Sequence, residues 1–107
     1  MAASILSDTS VELYLSAATG WELGIKVSLG KLTLTHSLDE VLQSQRRRHG
    51  VHWLDIKPAH CLTLAPMPFH HRDPFDRMLV AQALSEGLVI VSRDTQLDAY
   101  SITRIWN

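Results

Sequence analysis

One cysteine, five glycines and four prolines in 107 residues leave little material for several kinds of protein. The single Cys61 can close no internal disulfide, which excludes a disulfide-stapled secreted scaffold and makes a reducing cytoplasm the expected setting. No secretory signal is recognisable, and no run of about 18 apolar residues is present from which a membrane-spanning helix could form. An excess of charge of one sign is missing too. Ten basic and eleven acidic side chains leave a formal charge of −1, so bulk electrostatic binding to nucleic acid is excluded and any such contact must be local. Repeats, low-complexity tracts and Gly/Ser- or Pro-rich linkers are also lacking, and residues 1–107 are expected to form a single domain.

What is present suits a packed core: 46% of the residues are hydrophobic and 20% charged, too apolar a balance for disorder. Val11 to Ser16 alternates and carries β-formers, which predicts a strand. A helix is expected over Ala18 to Leu29, with Thr19 as a candidate N-cap and Gly30 as its stop. Leu38, Val41, Leu42 and Gln45 share a helical face in a second predicted helix from Leu38 to His49, and Gly50 stands where a left-handed residue would end it. Val51 to Ile56 reads as a strand, and Pro58 opens a short helix through Ala65. Asp73, Pro74 and Gly87 delimit a longer helix, as N-cap, first helical residue and terminator. Leu88 to Ser92 is a continuous apolar run, predicting a parallel strand buried on both faces, and Ile102 to Trp106 is a candidate last strand. Strands alternating with helices predict the α/β class.

Chemistry concentrates in "HHRDPFDRMLVAQA", from His70 to Ala83. Asp73 and Asp76 both fall at the helix start, beside the positive end of its dipole. Ligands of parallel sheets gather beyond the carboxyl ends of the strands, where the turn after "LVIVS" carries Arg93 and Asp94. Glu22 lies about one turn into the first predicted helix. Should these ends converge, the carboxylates would repel one another unless a cation neutralised them, and oxygen donors select hard ions such as Mg²⁺ or Mn²⁺. That is the pattern of metal-assisted phosphodiester hydrolysis, in which a metal-activated water replaces a protein nucleophile.

"SAATGWELGIKVSLGKL", "HHRDPFDRMLVAQALSEG" and "LVIVSRD", in this order and spacing, resemble the PIN domain of VapC-type toxins over nearly the whole chain from Val11. The resemblance implies a three-layer fold with a mostly parallel central sheet flanked by helices. It also implies a Mg²⁺- or Mn²⁺-dependent endoribonuclease acting on RNA, held in check by a cognate antitoxin and commonly dimeric. By the same resemblance Glu22, Asp76 and Asp94 match the family's metal-binding acids, with Asp73 a further candidate. Arg77 and Arg93 are candidates, as exposed residues, for phosphate contact.

The family pattern opens with an apolar strand ending in an acidic metal ligand, and no such strand is found in Met1 to Ser10. Asp8 reads as a turn residue. The chain is therefore expected to resemble a PIN domain without its first strand, to lack one charge of the metal cage and to hydrolyse RNA poorly or not at all. The competing expectation is a non-catalytic module that binds an antitoxin or a second protomer. A flavodoxin-like domain fits less well, since no acids follow the first predicted strand.

Other features read more plainly. Arg46, Arg47 and Arg48 suit the negative end of a helix dipole and a solvated face. His49, His52, His70 and His71 lack zinc-site spacing and are expected at the surface or the rim of a site. Trp21, Trp53 and Phe75 are expected in a core or interface, and Cys61 as inert packing.

Overall fold

Ser16 ends a strand and begins a helix at once, because its extended backbone closes the strand while its Oγ accepts the N–H of Ala18 at 3.0 Å. This junction belongs to a computed structural model that describes residues 12–105. Met1 to Ser10, where a first strand is expected to be missing, lie outside the described residues, as do Val11 and Trp106 at the ends of two predicted strands. Residues 12–55 and 56–105 form two compact units.

In the first unit, β1 (Tyr14–Ser16) leads into α1 (Ala17–Ser28). Ser16 and not Thr19 is the cap, since its hydroxyl already serves the first turn. The helix ends as expected at a glycine: Gly30 adopts φ +70°, and Lys31 N–H closes on the carbonyl of Lys26 at 2.9 Å. α2 (Leu38–His49) starts at Ser37, whose Oγ accepts from Glu40 N–H, and stops at Gly50 with φ +60°. Leu38, Val41 and Leu42 are partly covered, whereas Gln45 is exposed. β2 (His52–Leu54) pairs in parallel with β1, Tyr14 opposite His52. The Trp53 ring lies over α1 so closely that a Cβ on Gly20 would meet it at 3.3 Å, which is why a residue without a side chain stands there. Trp21 and Trp53 are exposed, and so are not core residues.

The second unit runs α3 (Pro58–Leu64), α4 (Pro74–Glu86), β3 (Ile90–Val91), a 3₁₀ turn (Thr95–Ala99) and β4 (Arg104–Ile105). Met67, Val80, Ala81, Leu97 and Tyr100 form its core, with Leu64, Met78, Ile90 and Ile102 packed around them. α3 and α4 are joined by His60, whose ring is fully buried. Its Nδ1 accepts the N–H of Lys57 at 3.0 Å and its Nε2 donates to Glu86 Oε1 at 2.8 Å. Cys61, one residue on, is exposed and does not serve as packing.

β3 and β4 are parallel, with Ile90 opposite Arg104 and Val91 opposite Ile105. Arg104 fastens the end of this pair, holding Asp98 with two nitrogens at 2.7 and 2.9 Å and Ser92 O at 3.0 Å. The apolar run Leu88 to Ser92 is not buried on both faces as predicted. Only two of its residues are paired in the described structure, and Val89 is 50% exposed. Among the described residues both strand pairings are parallel and alternate with helices, so the fold is α/β.

Candidate metal centre

The start of α4 is built as the sequence predicts. Asp73 Oδ1 accepts from the N–H groups of Phe75 and Asp76 at 2.8 and 3.3 Å, and Pro74, which has no N–H to satisfy, takes the first helical position. This geometry places Asp76 in the first turn, where the helix dipole favours a carboxylate. Asp73 is thereby engaged as a cap.

Asp94 reaches the same place from the turn after β3. Its Oδ1 accepts from Gln96 N–H at 3.0 Å, starting the 3₁₀ turn, and its own N–H donates to Ser92 Oγ at 3.1 Å. Its other oxygen, Oδ2, lies 3.0 Å from His71 Nε2, and Asp76 Oδ2 lies 3.3 Å from the same nitrogen. One donor atom from each of His71, Asp76 and Asp94 falls within 4.8 Å of the others, a group able to hold a metal ion. The hydrogen bond from His71, followed by that from Gln96, holds the Asp94 carboxyl below its ordinary range, which keeps it ionised. Asp94 and Asp76 together offer the oxygen donors that a hard divalent cation requires.

His71, expected from sequence at the surface or the rim of a site, has a side chain 13% exposed that touches both acids. Its backbone N–H donates to the Tyr100 hydroxyl at 3.0 Å, and its ring Nδ1 accepts from Asp73 N–H at 3.2 Å. The available signal is its position two residues before a capping aspartate, within reach of a ring-to-backbone hydrogen bond. Tyr100, which anchors His71 from across the unit, leaves no sequence signal. A shallow concavity of about 580 Å³ opens beside the group, lined by His70, His71, Arg72, Asp73, Gln96 and Ala99.

Arg77 does not match its expectation. It is 4% exposed rather than free for phosphate. Its Nη1 donates to Pro68 O at 2.9 Å and Tyr100 Oη at 3.3 Å, its Nη2 to Met67 O at 3.3 Å and Leu64 O at 3.5 Å, and its guanidinium stacks 4.1 Å from the Phe69 ring centroid. The cause is helical periodicity, since Arg77 shares a face with Val80 and Ala81, both fully buried. Arg93 is exposed, as expected. Glu22 belongs to the other unit, on the second turn of α1, where Lys26 Nζ lies 3.5 Å from its Oε2.

Acids converge from a helix start and a post-strand turn on an α/β frame with parallel strands, a group able to hold a divalent metal ion. The chain belongs to the PIN-domain family, whose pattern matches residues 2–102. Members of that family are generally dependent on divalent metals and commonly bind RNA. No curated protein and no solved structure matches the chain.

Proposed function

We propose that this protein is a VapC-type PIN-domain endoribonuclease, the toxin of a toxin–antitoxin pair, working in the cytoplasm as a homodimer. In this reading Asp76 and Asp94 hold Mg²⁺ or Mn²⁺, and the substrate is an RNA phosphodiester. The observation that carries it is the convergence of Asp76 and Asp94: their Oδ2 atoms lie 3.3 and 3.0 Å from one ring nitrogen.

When bound, the metal supplies an acidified water and balances charge that develops on the phosphate. The protein does the holding. Asp94 is kept ionised by His71 and the Gln96 N–H, and Asp76 presents its carboxylate from the first turn of α4. Exposed Arg93, adjacent to Asp94, offers a guanidinium to the RNA backbone.

The test is incubation of the purified chain with single-stranded RNA in Mg²⁺, in Mn²⁺ and in EDTA. Metal-dependent cleavage that is lost in Asp76→Asn supports the reading, and robust turnover would overturn the expectation of a weakened site. No cleavage by the wild-type chain, together with retained binding of an antitoxin, would select the non-catalytic interaction module instead.

A further inference from the structure

His71 touches both carboxylates of the proposed metal centre, and its protons can be assigned from its neighbours. A neutral imidazole has one N–H and one acceptor nitrogen. Nδ1 faces the backbone N–H of Asp73 at 3.2 Å, a group that can only donate, so Nδ1 must be the acceptor. The ring proton therefore sits on Nε2. A carboxylate oxygen accepts: Asp94 Oδ2 is hydrogen-bonded to Nε2 at 3.0 Å, and Asp76 Oδ2 stands 3.3 Å from the same nitrogen.

A histidine that ligates a metal through one nitrogen normally gives the proton on its other nitrogen to a carboxylate or a carbonyl. The surroundings of His71 are the reverse. To bind a metal through Nε2 it would have to move its proton to Nδ1, where the proton would point at the N–H of Asp73. The ring has little freedom to turn away, since it is 13% exposed and the His71 backbone is fixed by the Tyr100 hydroxyl at 3.0 Å.

We propose that His71 is a positioning residue of the metal centre: its Nε2–H bonds Asp94 Oδ2 with Asp76 Oδ2 close beside it, and so aims both carboxylates at one cation without itself becoming a ligand. This rests on the metal-binding reading of Asp76 and Asp94. The N–H offsets the repulsion between two anions that the fold brings together, so the pair is already arranged when an ion arrives.

The experiment is ¹⁵N NMR of the histidine rings in the uniformly labelled full chain, without metal and with saturating Mg²⁺, the His71 signals being assigned by their loss in His71→Gln. The expected result is the Nε2–H tautomer in both states. An Nδ1–H tautomer, or a change to it when Mg²⁺ is added, overturns the proposal. A second measurement follows Mn²⁺ binding by electron paramagnetic resonance. Affinity should fall about 10-fold in His71→Ala, the effect of removing a group that orients ligands, and His71→Gln, which keeps an N–H donor, should recover most of it. Unchanged affinity in the folded alanine variant overturns the positioning role alone, and so does failure of glutamine to recover binding. A wild-type chain that binds no Mn²⁺ overturns the metal reading, and the role of His71 with it.

Discussion

Arg77 and His71 are joined through one oxygen, the Tyr100 hydroxyl, which accepts from Arg77 Nη1 at 3.3 Å and from the His71 N–H at 3.0 Å. A buried guanidinium therefore supports the residue that faces both carboxylates. Removing it leaves Pro68 O, Met67 O and Leu64 O without that donor as well. Arg77→Met is expected to destabilise the chain by about 3 kcal/mol, read from urea unfolding. Unchanged stability with a selective loss of RNA affinity would return Arg77 to the phosphate-binding role that its charge suggests.

Arg93 should behave in the opposite way. It is exposed, so Arg93→Ala is expected to leave the melting temperature in place. Its effect belongs in the salt dependence of RNA binding. Removing one phosphate-binding cation lowers the slope of log affinity against log salt by about 0.7 for a single strand, measurable by fluorescence anisotropy. An identical slope for variant and wild type would rule out the interaction.

Metal should stabilise the folded chain by mass action. At about 100 times the dissociation constant of Mg²⁺ or Mn²⁺ the gain is about 2.7 kcal/mol, seen as a rise in melting temperature that EDTA reverses. Asp76→Asn and Asp94→Asn should each abolish most of that rise. A metal-induced rise that survives in both variants would place the ion elsewhere.

Glu86 gives stability a pH dependence of known sign. The His60 hydrogen bond, and then the charge of Lys57, hold its carboxyl below the ordinary range. A carboxylate depressed in the folded chain contributes above its unfolded-state value of about 4.3 and loses that contribution as pH falls through the folded value. Glu86→Gln keeps an acceptor for His60 but carries no charge. The stability difference between wild type and this variant should be full at neutral pH and shrink in acid, as followed by thermal melts across the range. A difference that grew in acid would contradict the ion-pair account.

The helices are the most legible part of the sequence because their ends are local chemistry. Asp73, Pro74 and Gly87 mark α4, and Gly50 marks the end of α2, through backbone preferences that need no distant partner. The strands are less legible. Leu88 to Ser92 carries the apolar content of a buried strand, but no local signal says how many of its residues will find a neighbour. Arg77 departs from its expectation for a different reason: its charge suggests a solvated role, but its place on the face of Val80 and Ala81 decides where it goes.

Within the site, Asp76 and Asp94 can be named from sequence because family resemblance and element ends point to the same positions. His71 cannot, because its role depends on two carboxylates and a tyrosine hydroxyl contributed by other segments of its unit. A histidine's neighbours in space decide whether it donates, accepts or ligates, and a lone sequence position carries none of that.

The two-residue pairing of β3 with β4 has a kinetic counterpart. Its amides sit beside valines that solvent reaches, at Val89 and Val91, whereas Val80 and Ala81 on α4 have no exposed surface. In deuterated water the α4 amides should retain their protons longest and those of the β3 ladder should exchange early. Asp94, which follows that ladder, is thus tethered to the more readily opened side of the unit and Asp76 to the more durable one. The two carboxylates would then separate first by movement of Asp94, while Asp76 stays with the helix.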